Sequence, residues 1–122
     1  MAHILLVEDD KSMMETLSLA MRSKGHRVTT AGDGDEALER LAAEPFDLVV
    51  TDILMPAMDG LGLIDAMRTA APNIKILAIS GGGTATFFDF LEAAKMQGAI
   101  ATLEKPFAIA DFYTELDRCL RG

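Results

Sequence analysis

Ile4-Leu5-Leu6-Val7, with the acidic run Glu8-Asp9-Asp10 directly after it, sets the fold class. Four consecutive apolar residues cannot alternate between core and solvent, so the run reads as a strand covered on both faces. Leu48-Val49-Val50 and Ile76-Leu77-Ala78-Ile79 repeat the pattern. The strand candidates are roughly Ile4–Val7, Arg27–Ala31, Asp47–Thr51, Lys75–Ile79 and Ala99–Leu103. Arg27-Val28-Thr29-Thr30 is more polar than the continuous runs, which suits an edge position.

Amphipathic segments of helical length lie between these runs. Met13, Leu17, Ala20 and Met21, with Met14, form one stripe, and Ala37, Leu38 and Leu41 a second. Leu61, Ile64 and Met67 make the third, and Phe87 or Phe88 with Leu91, Ala94 and Lys95 the fourth. Phe112, Leu116, Cys119 and Leu120 make the last. Gly25, Asp33-Gly34, Asp59-Gly60, Gly81-Gly82-Gly83 and Gly98 supply turns, and all four prolines fall between elements. The pattern predicts an α/β fold, (βα)5, which right-handed crossovers wind into a three-layer sandwich.

A length of 122 residues, half of them hydrophobic, suits one domain with a buried core. Eleven basic against nineteen acidic residues give a net charge of −8, which repels phosphate backbones and anionic lipid. No nucleic-acid partner and no membrane partner are expected. The start has no basic segment before its short apolar run, and no stretch approaches the ~18 apolar residues of a membrane span. A single cysteine, Cys119, excludes an internal disulfide and reads as packing. A cytoplasmic location is expected.

In a doubly wound sheet, ligand chemistry gathers at the carboxyl ends of the strands. Here those ends carry Glu8-Asp9-Asp10, then Asp52, then Ser80, then Glu104-Lys105-Pro106. Several carboxylates within a few Å cannot all stay ionised without a cation. A hard divalent ion such as Mg2+ relieves that repulsion and leaves one carboxylate able to attack phosphorus. Lys105 would balance the new charge, and Ser80 could donate to a phosphoryl oxygen. Taken singly, each residue has a plainer reading. Glu8-Asp9-Asp10 could cap a helix, Asp52 could be a turn residue, and Lys105 could be solvated. Their joint occurrence at successive strand ends favours a site.

The sequence resembles a response-regulator receiver domain of the stand-alone type from about His3 to Leu120. The resemblance is carried by Ile4-Leu5-Leu6-Val7-Glu8-Asp9-Asp10, Asp47-Leu48-Val49-Val50-Thr51-Asp52-Ile53-Leu54-Met55-Pro56, Ile79-Ser80-Gly81 and Lys105-Pro106-Phe107. It implies a flavodoxin-like, five-stranded parallel sheet in the order 2-1-3-4-5, with residues 1–122 forming one receiver domain. It implies Asp52 as phosphoryl acceptor, and Mg2+ held by Glu8, Asp9, Asp52 and the backbone carbonyl of Leu54. It implies Lys105 and Ser80 as groups that meet the phosphoryl, Asp10 outside the metal shell, and a cis bond before Pro106. The donor implied is a histidine kinase or a histidine phosphotransfer protein. The output implied is a switched protein–protein interaction rather than an enzymatic activity.

One position departs from the family pattern. Three residues before the lysine, where an aromatic residue is usual, stands Thr102. Gly81-Gly82-Gly83-Thr84 is rich in glycine, which suggests a mobile connection whose ordering replaces ring rotation.

Two other functions remain open on sequence. An aspartate-nucleophile phosphatase uses similar groups but needs an acid two residues after the nucleophile, where this chain has Leu54. A receiver-like binding module that is never phosphorylated would not need all of Glu8, Asp9, Asp52, Ser80 and Lys105. The methionines read as core filling, with Met13 and Met14 also able to face a docking helix. Phe90 or Tyr113 is a candidate partner surface, and His3 and His26 read as isolated residues at strand starts.

Overall fold

The computed structural model describes residues 1–52, 54–55, 58–81 and 101–121, with the backbone alone at 54–55, 58–62 and 80–81. Five parallel strands form one sheet: β1 (His3–Val7), β2 (Arg27–Ala31), β3 (Leu48–Asp52), β4 (Lys75–Gly81) and β5 (Ala101–Lys105). Their spatial order is β2-β1-β3-β4-β5, with β2 at an edge, as expected. The helices among the described residues are α1 (Lys11–Ser23), α2 (Gly34–Ala43), α3 (Gly60–Ala70) and α4 (Ile109–Arg121). A two-residue antiparallel pair, Leu54–Met55 with Met58–Asp59, precedes α3. The fourth predicted stripe, from Phe87 to Lys95, and the segment Gly82-Gly83-Thr84 lie outside the described residues.

The continuous apolar runs have a direct structural cause. Successive side chains of a strand point to opposite faces, and here both faces are covered. Leu5, Val7, Val49, Ile76 and Ala78 pack on one face against Ala37 of α2 and Leu63, Ile64 and Met67 of α3. Ile4, Leu6, Leu48, Val50, Leu77 and Ile79 pack on the other against Leu17 and Met21 of α1 and Phe112, Leu116 and Cys119 of α4. Met13 and Met14 are partly buried against this second layer.

Helix ends are set by local chemistry. Asp10 caps α1 by accepting from the Met13 N–H at 3.1 Å. At the far end Gly25, at φ +88°, makes the left-handed turn, with Gly25 N–H on the Arg22 carbonyl and His26 N–H on the Met21 carbonyl. Asp33 caps α2 through the Glu36 N–H, while the Glu36 carboxylate reaches back to the Gly32 N–H. The Lys105–Pro106 bond is cis.

Three readings change in the structure. The last strand begins at Ala101 and runs to Lys105, and the middle strand runs from Leu48 to Asp52, so the strands carry Lys105 and Asp52 themselves rather than leaving them to the loops. His3 is not isolated. Its Nδ1 lies 3.0 Å from the Pro45 carbonyl and its Nε2 2.9 Å from the Thr29 hydroxyl, and its ring lies on Phe46. Tyr113 is half-buried rather than a free surface residue, because its hydroxyl donates to the Ala20 carbonyl at 3.0 Å and joins α4 to α1. Phe90 lies outside the described residues.

Candidate functional site

The site forms where β1, β3 and β5 end. Strand register brings it together: Val7 pairs with Thr51, so Glu8 comes level with Asp52, and Asp52 pairs with Ile79 of β4. Ser80 and Gly81 of β4 stand opposite Glu104 and Lys105 of β5. A parallel sheet aligns these carboxyl ends because every crossover returns the chain to the same edge.

Glu8, Asp9 and Asp52 each offer a carboxylate oxygen, and these oxygens lie within 4.8 Å of one another. Glu8 is 1% exposed and Asp52 6%, whereas Asp9 is exposed. The Lys105 ammonium donates to Asp52 Oδ2 at 2.8 Å and to Glu8 Oε1 at 3.2 Å. The second Glu8 oxygen accepts the Asp10 N–H at 3.1 Å. The Asp10 side chain turns away to cap α1, so the capping reading holds for Asp10 while Glu8 and Asp9 belong to the cluster.

The electrostatics follow from crowding. Burial pushes the Glu8 carboxyl above the usual carboxylate range; the Asp10 N–H draws it down, the Asp52 charge pushes it up again, and Lys105 opposes the rise without cancelling it. Burial alone would lower Lys105, but hydrogen bonding and charge from Asp52, then from Glu8, hold it above the usual lysine range. One ammonium against three carboxylates leaves a charge of two minus on a cluster of hard oxygen donors. A divalent ion such as Mg2+ fits that deficit and that donor type.

A model of the response regulator receiver domain matches residues 4–117. The chain belongs to the response-regulator receiver family. Receiver domains accept phosphoryl groups from histidine kinases or phosphotransfer proteins, and they bind Mg2+ through acidic residues. This receiver is 37% identical over 120 residues to the response regulator receiver protein CpdR of Brucella abortus, with 98% of each chain covered. It is also 37% identical over 119 residues to the transcriptional activator protein PfeR of Pseudomonas aeruginosa. That match takes in 97% of this chain but 37% of PfeR, so the receiver spans little more than a third of that relative. Among solved structures, the chemotaxis protein CheY4 of Vibrio cholerae superposes with a TM-score of 0.88 at 31% identity, covering 98% of this chain and 99% of that one. No helix among the described residues of the receiver is long and apolar enough to cross a membrane.

Of the residues singled out in the sequence, Glu8, Asp9, Asp52 and Lys105 meet in one cluster. Ser80 is placed by its backbone next to the Asp52–Ile79 pair, with its side chain outside the described residues, and Leu54 is placed by its backbone in the two-residue pair with Asp59. Thr102 is half-buried, opposite Ala78. The ties through His3 and Tyr113 were not legible in the sequence. His3 meets residues 26 and 42 positions away, and Tyr113 meets α1 93 positions away, separations that leave no local pattern.

Proposed function

We propose that Asp52 accepts a phosphoryl group from a phosphohistidine on a histidine kinase or a histidine phosphotransfer protein, and that the phosphorylated domain switches a protein–protein interaction. The observation that carries this reading is the Lys105 ammonium, hydrogen-bonded at 2.8 Å to Asp52 and shared with Glu8, both of them nearly buried carboxylates. An Asp52 oxygen attacks phosphorus, the phosphorus–nitrogen bond breaks, and the electron pair leaves with the imidazole. Lys105 stays beside the reacting oxygens and offsets the charge they gather. Glu8, Asp9, Asp52 and the Leu54 backbone carbonyl would hold Mg2+, which when bound neutralises charge on the transferring oxygens.

The Ser80 hydroxyl then donates to a phosphoryl oxygen and draws the following segment with it. Moving a two-state switch from 1:99 to 99:1 takes about 5.5 kcal/mol. A new charge-assisted hydrogen bond from Ser80, at about 1.5–3 kcal/mol, supplies part of that, and Lys105, already bonded to Asp52 before transfer, adds only the difference between its old and new contacts. The domain, residues 1–122, thus contributes much of the chemistry of its own modification.

Incubation with a small phosphodonor and Mg2+, followed by intact-mass analysis, tests the assignment. Native protein gains one phosphoryl group, and Asp52→Asn gains none while keeping its circular dichroism. An equal adduct on the variant would move the acceptor elsewhere.

A further inference from the structure

The outer edge of β2 and the adjoining flank of α1 form a surface that no part of the site uses. Arg27 N–H bonds to the Ala2 carbonyl and Glu8 N–H to the Ala31 carbonyl, so Arg27, Thr29 and Ala31 turn their backbone groups toward β1. By alternation Val28 and Thr30 turn theirs outward. The Val28 carbonyl accepts from the Arg22 guanidinium of α1 at 3.1 Å. No partner for the Val28 N–H or for either Thr30 backbone group occurs among the described residues. An unpaired edge of this kind is a template for another strand.

Beside it runs a groove of about 470 Å3, lined by Met14, Glu15, Ser18, Leu19, Arg22 and Thr30. Leu19, in the middle of α1 and on the wall of this groove, is 72% exposed. Glu15, Leu19 and Arg22 follow the i, i+4, i+7 spacing of a single helix face.

We infer that this edge binds a second copy of the chain, β2 antiparallel to β2, across a twofold axis that passes Thr29 and Leu19. The outward groups are self-complementary about Thr29. Val28 of one copy faces Thr30 of the other, and each such pair exchanges both of its hydrogen bonds. The helix flank is self-complementary about nearly the same level, because Arg22 reaches Val28 while Glu15 and Ser18 share the groove with Thr30. An axis perpendicular to the sheet keeps α1 and its mate on one face and sets them antiparallel. Leu19 then meets Leu19, and Glu15 meets Arg22 of the second copy. Charge complementarity selects a copy of this chain over an arbitrary extended peptide. The acid and the base sit on opposite sides of the axis, and Glu15 has no ion pair within its own chain among the described residues. Arg22 caps the Val28 carbonyl in the single chain, and in the pair it passes that acceptor to the Thr30 N–H of the second copy. The net charge of −8 opposes association, so the pair belongs to the weak, concentration-dependent class.

Sedimentation equilibrium from micromolar to millimolar protein, on the unphosphorylated chain, tests the inference. The native chain dimerises within that range. Glu15→Arg sets Arg against Arg and weakens the dimer about tenfold, and the double variant Glu15→Arg with Arg22→Glu restores it. Both positions are exposed, so folding is retained and circular dichroism serves as the control. A chain that stays monomeric throughout overturns the inference. So does a dimer indifferent to Glu15→Arg, or an edge that takes up only a foreign extended peptide.

Discussion

Lys105 and Asp52, 53 residues apart in sequence, are joined by a 2.8 Å hydrogen bond between the ends of β5 and β3. β4 lies between those strands, so the lysine reaches across one strand to the acid. Its second bond, to Glu8 at 3.2 Å, ties in β1. One ammonium thus links three strand ends and offsets charge that would otherwise be uncompensated.

Replacing Lys105 by Met should therefore act on both stability and chemistry. Removing a partner of nearly buried carboxylates costs about 1–3 kcal/mol, reduced here because Lys105 is itself partly exposed. In metal-free buffer at pH 7 the melting temperature should fall by a few degrees. The rate of phosphoryl uptake should fall about a hundredfold, the usual effect of losing a group aimed at developing charge. Calorimetry and timed intact-mass measurements check the two effects separately.

Mg2+ should stabilise the folded chain, because the carboxylates are gathered only in that state. At a hundredfold excess over the dissociation constant the gain is about 2.7 kcal/mol. Glu8→Gln or Asp9→Asn should abolish most of this gain, and a chelator should reverse it in the native chain. A melting temperature indifferent to Mg2+ would contradict the cation assignment.

Asp10→Ala should separate capping from metal binding. The Met13 N–H loses its acceptor, and the cost is about 1 kcal/mol of helix stability. The bond from the Asp10 N–H to Glu8 is made by the backbone and survives the change. Phosphoryl uptake should keep its native rate, in contrast with Glu8→Gln.

Cys119 is 2% exposed on α4, and burial pushes its thiol up to about 11. At pH 8 it should resist alkylation in the native protein and react fully in denaturant. The folded state keeps its proton where the unfolded state loses it, so this contribution is present below pH ~9 and is lost as pH rises toward 11. Wild type should lose up to about 1.4 kcal/mol per pH unit across that window relative to Cys119→Ala. Parallel alkaline unfolding curves for the two proteins would count against it.

Much of this could be read in the chain because its signals are local. Ile4–Val7, Leu48–Val50 and Ile76–Ile79 announce two-sided burial by themselves, and Glu8, Asp9 and Asp52 each lie within two residues of such a run. Among the described residues, helix stripes were legible for the same reason, with one adjustment: on α3 the buried set includes Leu63 beside Ile64 and Met67. Strand limits were less legible. Whether a polar residue such as Asp52 or Lys105 extends a strand depends on the neighbour it pairs with, here Ile79 and Gly81.

Local chemistry along the chain specifies the (βα)5 order, the two-sided core and the set of groups available to a phosphoryl site. Burial pattern and turn chemistry act over a few residues, so the order of residues records them. Packing in three dimensions was needed to settle which acid caps a helix and which joins the cluster, since Asp10 and Glu8 carry the same chemistry two residues apart. Packing also set the Lys105 bridge, the seat of His3 among Pro45, Phe46 and Thr29, and the tie from Tyr113 to Ala20. Each of these depends on strand register and helix placement, which fix distances between segments that carry no mark of one another in the chain.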